Sequence, residues 1–268
     1  MISFENRFPL IMGIVNLTPD SFSDGGQFES IDSGVDYALR LVDSGADIID
    51  IGGESTRPGS DFVDLNTEIE RVIPFIRKIR QINPNIKISL DTTKYEVALS
   101  ALELGINYIN DISGLRFEPR LAELSAKYEV PLILMHSRDN PKKMQQSPHY
   151  DNLWDELITE LNTSINKAKS IGANKLIIDP GIGFGKRYED NLNILQNIDK
   201  LYHFNLPILL GLSRKSFLGT IINETDPQKR DFATAIVHSL LLKFNIDIIR
   251  VHNVDLTIQL KKVFEIFN

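Results

Sequence analysis

Eight short apolar runs, helix-spaced segments between them and polar residues closing the runs predict an α/β fold for this 268-residue chain, a single (β/α)8 TIM barrel spanning residues 1–268. The runs are Leu10–Asn16, Ile48–Ile51, Ile86–Asp91, Tyr108–Asp111, Pro131–Met135, Lys175–Asp179, Pro207–Gly211 and Asp247–Val251. They are rich in Ile, Leu and Val without alternating, as parallel strands covered on both faces require.

Helical spacing fills the intervals. Val97, Ala98, Ala101 and Leu102 form one apolar stripe, Leu157, Ile158, Leu161, Ile165 and Ala168 a second, and Leu256, Leu260, Val263, Phe264 and Phe267 a third. Asn66 to Ile82 is also helical in pattern, with Pro74 expected to kink it or begin a new turn. A weak repeat recurs at Gly45–Asp50, Gly105–Asn110, Gly172–Asp179 and Asn245–Arg250. In each, a glycine or asparagine is expected to end a helix in the left-handed conformation before a short strand.

Composition narrows the function. The net charge of -7 leaves no global basic field for nucleic acid, so any cation that handles an anionic substrate must be local. The absence of cysteine excludes thiolate nucleophiles and cysteine metal sites and fits a reducing compartment. Met1 leads into polar sequence, and no apolar stretch approaches the ~20 residues of a membrane span. The expectation is a cytoplasmic protein without membrane or nucleic-acid partners.

Barrels of this class place their chemistry at the C-terminal strand ends. Here those ends carry Asn16, Asp91, Asn110 with Asp111, Met135 with His136, Asp179, Ser213, and Arg250 with His252. Asp50 is read as a cap or the partner of a backbone amide. Asp111 could equally be structural, and the role of His136 stays open. His149, His203 and His238 are read as structural or surface residues.

The loops GIVNLTPDSFSDGG (Gly13 to Gly26) and DIGGESTRPGS (Asp50 to Ser60) are too long and polar for simple turns and read as mobile functional loops after strands one and two. DPGIGFGK (Asp179 to Lys186) packs three glycines around Phe184. GLSRKSFLG (Gly211 to Gly219) reads as a helix starting at Ser213, a natural anion site, and RVHNV (Arg250 to Val254) adds a second. Loops after strands seven and eight often bind phosphate in such barrels, which suits a phosphorylated or carboxylated substrate.

The strings NLTPDSFSDGG, GGESTRPG, DPGIGFGK, GLSRKSFLG and RVHNV resemble, in order, the signatures of dihydropteroate synthases. The resemblance implies an enzyme that joins 6-hydroxymethyl-7,8-dihydropterin pyrophosphate to p-aminobenzoate, with dissociative loss of pyrophosphate. It implies that Asp179 accepts two N–H bonds from the guanidine-like pterin edge, that Asn110 and Asp91 hold further ring atoms, and that Lys215 reaches the pterin carbonyl and ring nitrogen. Arg250 would stack on the ring and still reach the pyrophosphate. Met135 would line the pterin pocket or serve as core filler.

By the same resemblance, Asn16, Arg250 and His252 bind pyrophosphate, with Mg2+ bridging its oxygens and Asn16 as a direct metal ligand. Asp20 and Asp24 would stabilise the developing cation or organise the magnesium shell. Phe22, Thr56, Arg57, Pro58, Phe184 and Ser213 would surround p-aminobenzoate, where sulfonamides would compete, with the Ser213 hydroxyl and helix amides on the carboxylate. A homodimer is expected from the family. Three positions depart from its pattern: Thr93 for tyrosine, Asn253 for aspartate and Ala233 for glycine. Two rival readings are a methyltetrahydrofolate–corrinoid methyltransferase, which needs no pyrophosphate site, and a non-catalytic pterin-binding paralogue.

Overall fold

The computed structural model describes residues 7–18, 30–55, 59–138 and 142–267. Asp20, Phe22, Asp24, Thr56, Arg57 and Pro58 lie outside them. The strands are β1 (Leu10–Asn16), β2 (Ile48–Gly52), β3 (Ile88–Asp91), β4 (Tyr108–Asp111), β5 (Leu132–Met135), β6 (Leu176–Asp179), β7 (Leu209–Leu210) and β8 (Ile248–Val251). All pair in parallel in the order β6-β5-β4-β3-β2-β1-β8-β7. A parallel bridge between Ile178 and Ile208 brings β6 to β7 and closes the ring into a barrel. The predicted strands are all present. Only β7 is much shorter than its apolar run, because its hydrogen bonding on the β6 side reduces to that bridge.

The apolar run of each strand divides between two cores. Met12, Ile48, Ile133, Ile177, Leu209 and Ile248 fill the barrel interior. The alternate residues, such as Ile11, Ile49, Leu90, Ile109, Leu134 and Ile178, pack outward against the helices. This double burial is why the strands show no polar alternation.

The helices are α1 (Ile31–Asp43), α2 (Leu65–Ile82), α3 (Tyr95–Leu102), α4 (Leu121–Tyr128), α5 (Leu153–Ile171), α6 (Tyr188–Gln196), α7 (Ser216–Ile222), α8 (Asp231–Leu241) and α9 (Val254–Phe267). Ser30, Asp64 and Asn152 start α1, α2 and α5 by accepting backbone N–H groups of the first turn. The helix α2 runs on through Pro74 without a new start there. Pro74 and Glu70 are both exposed. Gly45, Gly105 and Gly172 have the left-handed φ that the repeat predicted, whereas Asn245 is not among the left-handed residues. Its N–H donates instead to the Tyr202 hydroxyl at 2.6 Å.

Candidate active site

The C-terminal ends of β3, β4, β6 and β8 bring Asp91, Asn110, Asp179 and Arg250 to one mouth of the barrel. Lys215 reaches the same mouth from the loop after β7, close enough for its ammonium to feel the charges of Arg250, Asp179 and Asp91. The residues predicted for the pterin pocket therefore converge, although 159 positions separate Asp91 from Arg250.

Arg250 anchors the group. Its Nε donates to Asp50 Oδ2 at 2.6 Å and its Nη2 to Asp91 Oδ2 at 3.0 Å. Asn110 Nδ2 donates to the same Asp50 oxygen at 3.2 Å. Asp50 is fully buried and is no cap, which corrects the sequence reading. Asp50 lies in the middle of β2, on the interior face it shares with Ile48, and a buried carboxylate needs a cation. Burial works against the charge of Arg250, but Asp50 and Asp91 outweigh it and hold the guanidinium charged. Burial pushes the Asp91 carboxyl up, with Arg250 pulling it back in part and Asp50 adding to the rise.

Asp179 is oriented by its own loop. Its Oδ1 accepts the Gly181 N–H at 2.7 Å, while Oδ2 faces Gly211, where an added Cβ would lie 3.7 Å from it and 4.0 Å from Arg250 Cβ. A methyl group at Gly211 would thus stand in ordinary contact with both Asp179 and Arg250. Gly181 takes φ +69°, and a Cβ there would meet the His136 carbonyl oxygen at 1.9 Å, so only glycine fits. Burial raises the Asp179 carboxyl, against the Gly181 N–H and the charges of Lys215, Lys186 and Arg250.

Lys215 lies with its ammonium 4.0 Å from the centre of the Phe184 ring. Burial, and then Arg250, lower it to about 8, with Asp179 and Asp91 opposing. Phe184 packs with Met135, Met144 and Ile112, so Met135 and this ring share one small apolar cluster.

The helix after β7 starts at Ser216 rather than Ser213. Arg214 adopts φ +60° and breaks the chain direction, and Lys215 occupies the N-cap position. Ser213 instead touches His252: its Oγ accepts the His252 backbone N–H at 3.2 Å and lies 3.0 Å from Nδ1. Burial, then Arg214, Arg250 and Lys215, drive His252 down to about 3, so the imidazole is neutral near pH 7. Asn16 stands at the end of β1 with its amide oxygen turned toward Gly52 of β2. Among the described residues no group of three or more His, Asp and Glu could hold a metal ion.

The departures have visible roles. Asn253 Oδ1 accepts the Leu256 N–H at 2.9 Å in the first turn of α9, as an aspartate would, and its Nδ2 donates to Asp231 at 3.0 Å. Asp231 in turn grips Arg214 through 2.6 and 2.7 Å bonds. Thr93 borders a small cleft beside Asp91, together with Phe62, Ile112 and Phe117. Ala233 is buried in α8. Asp111 is structural, accepting the Ser113 and Leu115 backbone N–H groups at 2.8 and 2.6 Å. His149 is an exposed partner of Asp151, and His238 is buried in α8.

Besides Asp50, the sequence reading passed over Lys186. It is buried behind the strand-six loop and bonded to His136, and the only signal for it was its place at the end of DPGIGFGK.

This fold and mouth define a (β/α)8-barrel enzyme with carboxylates, an amide and two cations facing a common pocket. Residues 12–252 match the family described as pterin binding enzyme. The chain is 44% identical over 255 residues to the dihydropteroate synthase of Synechocystis sp., covering 94% of this chain and 88% of the relative. The Yersinia pestis dihydropteroate synthase in a sulfonamide complex superposes with a TM-score of 0.90 at 39% identity, covering 97% and 94% of the two chains. The Xanthomonas albilineans dihydropteroate synthase with 4-aminobenzoic acid gives 0.89 at 38% identity, covering 98% and 94%. The chain belongs to the dihydropteroate synthase family of pterin-binding enzymes.

Proposed function

We propose that the barrel mouth binds 6-hydroxymethyl-7,8-dihydropterin pyrophosphate through Asp91, Asn110, Asp179, Lys215 and Arg250 and condenses it with p-aminobenzoate. The observation that carries this reading is the convergence of two carboxylates, an amide and two cations at one mouth of the barrel. Asp179 keeps Oδ2 for the N–H edge of the pterin, and Lys215 is poised over its carbonyl side. Arg250 has two donors committed to Asp50 and Asp91, which fixes the guanidinium plane against which the ring stacks.

The reaction breaks the bond between the pterin CH2 and the pyrophosphate oxygen. The electron pair leaves with pyrophosphate and the pterin delocalises the cation. The aniline nitrogen of p-aminobenzoate then forms the new C–N bond and loses a proton. No side-chain nucleophile is required. Holding both substrates in line supplies up to ~7–11 kcal/mol, and fixed charges add several more. Phe184 supplies an aromatic wall for p-aminobenzoate, with Phe22, Thr56, Arg57, Pro58 and Ser213 completing the site. The Ser213 hydroxyl also orients His252, and helix amides are available only from Ser216 onward. Asp20 and Asp24 are assigned to the developing cation or to the magnesium shell.

Asn16, Arg250 and the neutral His252 suit the pyrophosphate. A lone amide oxygen, with no carboxylate cage among the described residues, fits Mg2+ that keeps most of its waters and is carried chiefly by phosphate. When bound, the ion neutralises charge on the departing pyrophosphate.

We assign the chain to the cytoplasm; among the described residues no helix is long and apolar enough to cross a membrane. We also propose a homodimer through α8, where Phe232, Ile236 and Leu240 expose an apolar stripe at i, i+4 spacing, 70%, 45% and 65% exposed. Leu240→Glu should shift the mass measured by light scattering toward the monomer.

The pocket assignment is tested by calorimetric titration with the pterin pyrophosphate, with and without Mg2+. Tight, metal-enhanced binding that Asp179→Asn weakens is the expected result. Equal binding by wild type and Asp179→Asn contradicts the pocket.

A further inference from the structure

We infer that Lys186 is a positioning residue for this site: its ammonium ties the loop after β6 to the end of β5 and so seats the Phe184 ring against Lys215. The inference rests on the function proposed above and adds a residue that does not itself touch substrate.

Lys186 is 3% exposed. An ammonium has three donors and no acceptor. Here its acceptors are His136 Nδ1 at 3.0 Å, the Phe184 carbonyl at 3.1 Å and the His136 carbonyl at 3.4 Å. Lys186 therefore joins the end of β5 to the β6 loop at a junction where Gly181, Gly183 and Gly185 carry no side chain. Acceptance at Nδ1 places the His136 proton on Nε2, which lies 3.0 Å from Glu160, off the line of a good hydrogen bond. Arg138 Nε holds that carboxylate at 2.8 Å. Lys186 thus ties the loop to His136, whose ring stands against Glu160 of α5.

On its other side the loop presses on Lys215. The Phe184 ring lies 4.0 Å from the Lys215 ammonium, and a Cβ on Gly183 would sit 3.0 Å from Lys215 Cδ. Gly183 is itself pinned by Asn191 and Gln145, each at 2.7 Å. A slackened Phe184 carbonyl would free the ring and, with it, the lysine stem. Burial lowers Lys186 to about 7, against the pull of Asp179 and Glu160, so taking this amine out of water is costly, and its three hydrogen bonds at one junction point to the geometry it imposes.

The test is a double-mutant cycle on the full chain with Lys186→Met, Lys215→Met and the pair. It is read by calorimetric binding of the pterin pyrophosphate with Mg2+ and by kcat/KM, with thermal unfolding as the check on folding. Lys186→Met should fold and lose about tenfold or more, while the double variant stays within about threefold of Lys215→Met alone. Lys186→Gln, which keeps two donors without the charge, should recover part of the loss. Multiplying losses, no loss, or failure of both Lys186 variants to fold would overturn the positioning role. A wild-type chain that binds the pterin but forms no product would overturn the proposed function instead, and the binding arm would still read the coupling.

Discussion

Asp50 and Arg250 stand 200 positions apart in the chain and 2.6 Å apart at the base of the site, and the same Asp50 oxygen takes a hydrogen bond from Asn110. The carboxylate is wholly buried and Arg250 only 18% exposed, so the pair sits outside solvent screening. One residue assigned to no substrate contact thereby orients two that are.

Asp50→Asn should lower kcat/KM for the pterin substrate by about tenfold to a hundredfold through loss of a buried charge pair. It should also cost about 3–5 kcal/mol of stability, because Arg250 loses one of its two carboxylates. Steady-state kinetics and denaturant unfolding of the same preparation check both.

Lys215, lowered to about 8, carries its charge below that pH and loses it above. Pterin affinity should therefore fall as pH rises through about 8. Lys215→Met should bind weakly and lose this pH dependence, measured by calorimetry from pH 6.5 to 9.5. An unchanged slope in the variant would remove Lys215 from the pterin contact.

His252, driven down to about 3, acts as a neutral hydrogen-bonding group. His252→Gln should retain activity within about threefold, whereas His252→Ala should lose about tenfold or more, the worth of a hydrogen bond to a charged oxygen. Equal losses in the two would favour a charged imidazolium in the complex.

His238 gives a prediction away from the site. It is buried, lowered to about 4 by burial, and neither ring nitrogen has a partner among the described residues. Its folded value lies below the unfolded value, so its contribution is intact above about pH 6.5 and is lost as pH falls through the window toward 4. The loss proceeds at about 1.4 kcal/mol per pH unit. His238→Leu should remove that part of the acid slope and be about 2 kcal/mol more stable than wild type at pH 5, beyond any difference at pH 7.5. Urea unfolding at the two pH values reads the difference.

Much of this was legible in the chain. Continuous Ile, Leu and Val runs are what double burial demands, and they located all of the strands; strand-end polarity located Asp91, Asn110, Asp179 and Arg250. What escaped depended on contacts between distant segments. Asp50 has the local signature of a cap, and only barrel closure brings β8 beside β1 and places Arg250 within reach. Lys186 looks like an ordinary cation at the end of a glycine loop until β5 supplies its acceptors. The helix start at Ser213 was misread because Ser at a helix boundary is a common cap, whereas the left-handed Arg214 moves the start to Ser216. Pro74, a residue that can restart a helix, lies inside one continuous α2.

The most direct measurement of the central claim is formation of 7,8-dihydropteroate and pyrophosphate by the purified chain. It would use the pterin pyrophosphate, p-aminobenzoate and Mg2+, with Asp179→Asn, Lys215→Ala and a chelator run alongside. The account predicts stoichiometric product and pyrophosphate, dependent on metal and abolished or reduced by about a hundredfold or more in both variants. Pterin binding without product would contradict catalysis at this mouth and leave a pterin-binding paralogue; full activity in Asp179→Asn would contradict the assigned pocket.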